Sequence, residues 1–240
     1  MRFKKIIIVL CLCFIYGCAP KIIIQPRLKT LISDSNTQDL SWYSCRFQFA
    51  WPDKEKDADL SSDLLLAHAV LKPVILNNNV DISLWRFHRR AVNDQVGHEF
   101  SFIFYSSKKG ADSTFVEISQ NKLLTQAVSE GLITNYTCGA PQVGDNSKLE
   151  SLSDKHWDIV LQRNWPIYAM GASSLWLGLV SESFEDTKTE DPNINDLLLA
   201  YKKANQKVTK IWNVEASHAL LHHLNAIFGY EPLTLRKMNF

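Results

Sequence analysis

The chain has 240 residues, 46% of them hydrophobic and 21% charged, with 26 basic against 25 acidic side chains and a net charge of +1. That apolar and aromatic content belongs to a folded globule with a substantial core, which excludes a disordered chain. A near-neutral protein has no broad positive field to draw nucleic acid, so nucleic-acid binding is set aside.

The first residues carry an address. Met1 is followed by Arg2, Lys4 and Lys5, then an apolar run over residues 6–16, then Gly17 and Cys18. A positive start, a short apolar centre and a small residue before the break are the parts of a secretory signal. The run falls short of the roughly 20 apolar residues that a spanning helix needs. Ile15-Tyr16-Gly17-Cys18 resembles the lipobox of bacterial lipoproteins, with Tyr16 where a small or hydroxylated residue is usual. The resemblance covers these four residues and the signal around them. It implies that residues 1–17 are removed and that acylated Cys18 becomes the first mature residue. Ala19 stands where an Asp would favour the inner membrane of enteric bacteria, so the resemblance implies the outer membrane, its inner leaflet, facing the periplasm. Each buried CH₂ is worth about 0.8 kcal/mol, so one acyl chain holds weakly and several hold stably. Loss of Arg2, Lys4 and Lys5 leaves 223 residues with a charge of about −2 by counting.

Residues 18–40 read as a lipidated tether, restricted by Pro20 and Pro26 and polar over 33–38, although Ile22, Ile23 and Ile24 could dock as a strand. Residues 41–138 read as a sheet domain. Tyr43, Cys45, Phe47, Phe49 and Trp51 alternate with Arg46 and Gln48, which predicts a half-buried strand over 43–51. Leu64, Leu65, Ala67, His68 and Leu71 predict a helix over 60–71, capped by Ser61 or Ser62 and ended by Pro73. Residues 82–92 alternate again, with Leu84, Arg86, His88 and Arg90 opposite Trp85, Phe87 and Arg89. A turn-rich stretch over 93–97 leads to 98–105, where Phe100, Phe102 and Phe104 share one face. A helix over 113–129, closed by Gly131, and a short strand over 132–138 complete the set. Strand, helix, strand, strand, helix, strand is the α+β order of ferredoxin-like folds, and it also suits part of a larger mixed sheet.

Residues 139–154, rich in Gly, Pro, Ser and Asp, read as a linker before a helical region over 155–240. There the pattern predicts a short helix over 154–164 led by Ser153, a second opened by Pro166 and running to about 183, and a long helical stretch from Pro192 to residue 228. Residues 231–240 could form a tail strand. The apolar segment 165–180 carries Gly171, Ser174 and Gly178 at helical spacing. It reads as a core helix, being too short and polar for a secure membrane span.

Candidate chemistry is sparse. Cys11 and Cys13 leave with the signal, and Cys45 and Cys138 remain for an oxidising compartment, as a disulfide or as two buried thiols. Arg86, His88 and Arg90 share a strand face that could grip a carboxylate or phosphate, or simply be a wet sheet face. Glu215, His218 and His222 share a helix face at spacings of three and four, the pattern of a metal site or of an ordinary amphipathic helix. Ala219 stands where a zinc protease would need Glu. Ser173 and Ser174 lack the setting of a hydrolase nucleophile, and no phosphate loop, Cys-x-x-Cys or other cofactor motif is present, so no cofactor is expected. The expectation is a lipid-anchored envelope module that binds or assembles with a protein partner, without evident catalysis; an accessory subunit of a surface or secretion apparatus differs only in its partner. The alternative is a periplasmic enzyme or metal-binding protein using the Arg86/His88 strand or the Glu215/His218/His222 face.

Overall fold

The computed structural model describes residues 39–231 except 52, 54, 142–144 and 186–192. The lipobox, most of the tether and nearly all of the tail expected over 231–240 therefore lie outside the described residues. The fold is α+β: a four-stranded antiparallel sheet with helices packed on one face and along one edge. The strands are β1 (Leu40–Phe49), β2 (Ile82–Ala91), β3 (His98–Ser107) and β4 (Ile133–Gly139), in the order β2-β3-β1-β4.

One face of the sheet is aromatic. Register pairs Phe47 with Phe100, Cys45 with Phe102 and Tyr43 with Phe104, and the period of two puts all of them on the same side. Phe47, Phe100, Phe102 and Phe104 are fully buried. Burying each such ring is worth about 1.5–3 kcal/mol, so this layer is the centre of stability. Cys45 and Cys138 lie directly opposite each other on β1 and β4 and form a disulfide, S–S 2.02 Å.

The helix expected over 60–71 runs further. It comprises α1 (Ser61–Leu65), π-helical turns over Leu66–Leu71 and α2 (Lys72–Asn77). Pro73 does not end it. The Lys72 N–H bonds back five residues to Ala67, and this wider turn carries the chain past the proline ring, which would otherwise strike the preceding turn. Its start is fixed by Asp59, whose carboxylate accepts from the Ser61 N–H at 3.0 Å and from the Ser61 hydroxyl at 2.6 Å, so neither serine is the cap. The helix expected over 113–129 is two helices, α3 (Lys108–Ser119) and α4 (Lys122–Ser129). Side-chain caps explain both the early start and the break: Ser107 accepts from the Gly110 N–H, and Asn121 accepts from the Leu124 N–H. Gly131, at φ +74°, turns the chain out of α4 into β4.

Beyond β4 the expected linker is packed structure where it is described. A strap over 145–152, ending in a 3₁₀ turn at Leu149–Leu152, lies on the sheet face opposite the aromatic layer. The Trp42 N–H donates to the Asn146 carbonyl at 2.8 Å, the Trp42 indole donates to the carbonyls of Lys148 and Leu149, and the Tyr105 hydroxyl donates to the Ser147 carbonyl at 2.7 Å.

The two helices expected over 154–183 are one, α5 (Ile159–Ser183), capped by Asp158. Pro166 lies inside it. The bond its missing N–H would make to the Gln162 carbonyl is replaced by the Ser153 hydroxyl, which donates to that oxygen at 2.7 Å. The last helix is α6 (Ile194–Ile211), π-helical turns over Trp212–Ala216 and α7 (Ser217–Ile227). Helix α5 runs along β2, where the Ser173 hydroxyl accepts from the free Phe87 N–H of this edge strand at 3.0 Å. Helix α6 packs on α1. Met170, Leu177, Val180, Ile194, Tyr201, Ala204 and Val208 join the same buried cluster as the sheet aromatics, so the C-terminal helices share the sheet's core. Gly171 and Gly178 face open space, so the small-residue stripe of α5 points away from the neighbouring helices. No described helix is long and apolar enough to cross a membrane.

Candidate functional site: the open sheet face

The sheet face opposite the aromatic layer is organised in rows. At one end Leu84, Tyr105 and Trp42 lie side by side, with Trp42 and Tyr105 held under the strap. The next row is Arg86, Ile103, Ser44 and Gly139; then come His88, Ser101, Arg46 and Thr137; then Arg90, Glu99, Gln48 and Asn135. Antiparallel sheets commonly leave one face wet; here the strap's 3₁₀ turn reaches the Arg86 row through Leu152, and the exposed Arg46, His88, Thr137 and Asn135 lie beyond it.

The residues of this face differ in what they can still bind. Arg86 is half-buried, and one Nη donates to the Leu152 carbonyl at 3.1 Å. Burial pushes its guanidinium below the ordinary value. Arg46 is exposed and makes no ion pair or hydrogen bond among the described residues. Arg90 is committed to the β2–β3 turn. It pairs with Asp94 and donates to the Gly97 carbonyl at 3.1 Å, while Asp94 also accepts from the N–H groups of Val96 and Gly97. Those contacts hold the Asp94 carboxyl well below the usual carboxylate range. Of the expected set, Arg86 and His88 therefore lie together, Arg90 serves the hairpin, and Arg46 arrives from the neighbouring strand. The alternation of β1 placed Arg46 on its polar side, but only the β1–β3–β2 register brings it across from Arg86 and His88.

His88 titrates below the ordinary histidine value, first because burial disfavours its charge and then because Arg86 and Arg90 repel it; Glu99 pulls the other way. A pocket of about 290 Å³ opens between the strap and the sheet, lined by Ser44, Arg46, Arg86 and Ser101 with Ile103, Leu152 and Pro141. The Ser101 hydroxyl donates to Glu99 at 3.2 Å. His88 makes no hydrogen bond to either serine among the described residues, so the face presents donors for an oxyanion without an activated nucleophile.

The other candidates fall elsewhere. His98 sits on the opposite face of β3 from Glu99 and is buried. Its Nε2 meets one Asp63 oxygen at 2.7 Å while Arg89 Nε donates to the other at 2.7 Å, and the Arg89 guanidinium lies 4.7 Å from the centre of the Trp176 ring. This trio staples α1, β2, β3 and α5 together. A second polar cluster stands at the π-helical turns: His68 Nδ1 lies 2.9 Å from the Tyr201 hydroxyl, and Lys72 donates to Ser181 at 2.9 Å. It ties the π-helical turns and α2 to α5 and α6. Among the described residues no three His, Cys, Asp or Glu side chains are grouped to hold a metal ion. The ring centres of His218 and His222 are 6.0 Å apart, and Glu215 lies in the π-helical turns just before them, which alters the phase of the expected shared face.

The chain matches no protein-family model, no curated protein and no solved structure.

Proposed function

We propose that this chain is a lipid-anchored lipoprotein of the bacterial cell envelope, held through Cys18 at the inner leaflet of the outer membrane, whose open sheet face is a binding surface for an envelope component or protein partner. The observation that carries the reading is that face, on which Arg46, Arg86 and His88 have no carboxylate bonded to them among the described residues while Arg90 pairs with Asp94. Clustered, incompletely paired arginines suit recognition of carboxylate or phosphate. Export to an oxidising space is supported by the Cys45–Cys138 bridge, since such bonds are rare in reducing compartments. The anchor rests on the lipobox resemblance of Ile15-Tyr16-Gly17-Cys18. The finer fold reading belongs here too: the order β2-β3-β1-β4, with every neighbour antiparallel and helices between β1 and β2 and between β3 and β4, supports a ferredoxin-like arrangement extended by C-terminal helices.

The test pairs fractionation with site-directed photo-crosslinking in intact envelopes. Wild type stays with the membranes, and Cys18→Ser is released to the soluble fraction. A photo-crosslinker at Thr137, exposed on the open face, gives a discrete adduct, whereas one at Val116, exposed on α3, gives none. Membrane retention of Cys18→Ser refutes the anchor, and equal labelling from both positions refutes the binding face.

A further inference from the structure

We infer that the pocket between Arg46 and Arg86 binds a compact oxyanion carried on a short apolar stem, a small carboxylic acid or phosphate ester. The inference rests on reading the open face as the binding surface, and it names what that surface takes. Ser44, Ser101 and Ile103 come from β1 and β3, Leu152 from the strap and Pro141 from the segment after β4.

The charged lining is all cationic. Arg86 gives one N–H to Leu152, and its remaining donors, like all those of Arg46, have no protein partner among the described residues. Each planar fork can meet an oxyanion with two parallel bonds. The hydroxyl of Ser44 adds a shorter donor from the floor, while that of Ser101 gives its proton to Glu99. Among the described residues no carboxylate lines the pocket, which disfavours a metal ion or an amine as occupant. The remaining lining, Ile103, Leu152 and Pro141, is apolar. A bare inorganic anion would leave that wall wetted and unused, whereas a stem of a few carbons covers it.

Size bounds the occupant. At about 290 Å³ the pocket holds roughly ten water volumes of about 30 Å³ each, below most drug-sized sites. It fits a small acid or the end group of a larger molecule.

The test uses the full-length acylated protein in neutral detergent, titrated by calorimetry with four probes: acetate, inorganic phosphate, 3-methylbutanoate and butyl phosphate. The stemmed probes are expected to bind at least about tenfold more tightly than their bare counterparts, since their added methyl and methylene groups leave water. Comparing 3-methylbutanoate with butyl phosphate tells which oxyanion the arginines prefer. Arg46→Gln, at an exposed position, is expected to weaken the preferred probe at least about tenfold with no change in melting temperature. Arg86→Lys keeps the charge but loses the fork, and a weakening of at least about threefold is expected. Lack of saturable binding of all four probes up to about 20 mM, affinity unchanged in both arginine variants, or equal affinity for bare and stemmed probes overturns the inference. If all four probes fail while the Thr137 adduct persists, the ligand class falls and the binding face stands; if both fail, the reading of the face falls with it.

Discussion

Reducing the Cys45–Cys138 bridge is expected to remove a large part of the stability of this fold. The bridge closes a loop with a sequence separation of 93 that contains β2 and β3 in full, the second half of β1 and all of β4 but its last residue. In the chain-entropy description, closing a loop of that length removes about 15.6 cal/mol/K from the unfolded ensemble, or about 4.6 kcal/mol at 25 °C. For a domain of this size one kcal/mol moves the melting temperature by about 2–4 °C, so the bridge is worth roughly 10–18 °C. The cleanest comparison is the same protein melted with and without reductant, followed by circular dichroism. The Cys45→Ala/Cys138→Ala double variant should melt at least as low as the reduced wild type, because Cys45 is fully buried and its sulfur leaves a cavity. Peptide mapping without reduction should recover the two cysteines in one linked peptide. A reduced protein that melts within about 3 °C of the oxidised one would show that the unfolded chain was never constrained by this loop, and the reasoning would fail.

Two further predictions follow from the charged groups on the two faces. Asp63 is fully buried and takes bonds from both Arg89 and His98; Asp63→Ala strands two donors in the core and should cost about 3–5 kcal/mol in urea unfolding, and a loss below about 1 kcal/mol would show that the trio is not a staple. On the open face the His88 pKa is depressed by burial and by Arg86, so the folded state resists protonation there. As pH falls through the ordinary histidine value of about 6.5, the unfolded chain takes up the proton first, and stability present above that pH declines until the lower folded value is passed. NMR titration should place the His88 ring below free histidine, and Arg86→Gln should move it upward; a ring that titrates unchanged in Arg86→Gln removes the guanidinium as a cause.

Local pattern carries some of this fold and not the rest, for physical reasons that differ by element. Alternation of Cys45, Phe47 and Phe49 with Arg46 and Gln48 gives both the strand and its buried side, because a period of two is a local property. The same holds for Arg86, His88 and Arg90 sharing a face. Which strand lies beside which is set by long-range pairing, so Arg46 could not be joined to Arg86 from spacing alone. The prolines misled for another reason. Pro73 and Pro166 are breakers by local chemistry, but π-helical turns carry the chain past the first, and the Ser153 hydroxyl supplies the donor missing at the second. Polar composition likewise made 139–154 look like a linker. Its carbonyls, however, are what the Trp42 indole and Tyr105 hydroxyl need in order to be buried.

The two faces of the sheet settle their charges in opposite ways, and the contrast bears on function. On the helix side the buried carboxylate of Asp63 sits between Arg89 and His98, among a largely apolar and aromatic core. On the open side Arg90 spends its charge on the turn, Glu99 faces Arg90 across the β2–β3 ladder, and Arg46 and Arg86 flank the pocket with no carboxylate among its lining. A half-buried guanidinium bonded, among the described residues, to one carbonyl is electrostatically costly, since the carbonyl dipole replaces only part of the lost hydration. A fold could remove that cost with one acidic substitution at Ser44 or Ser101, both of which already line the pocket. Leaving the cost in place keeps two arginine forks available, and an incoming oxyanion would supply the missing charge where the protein withholds it.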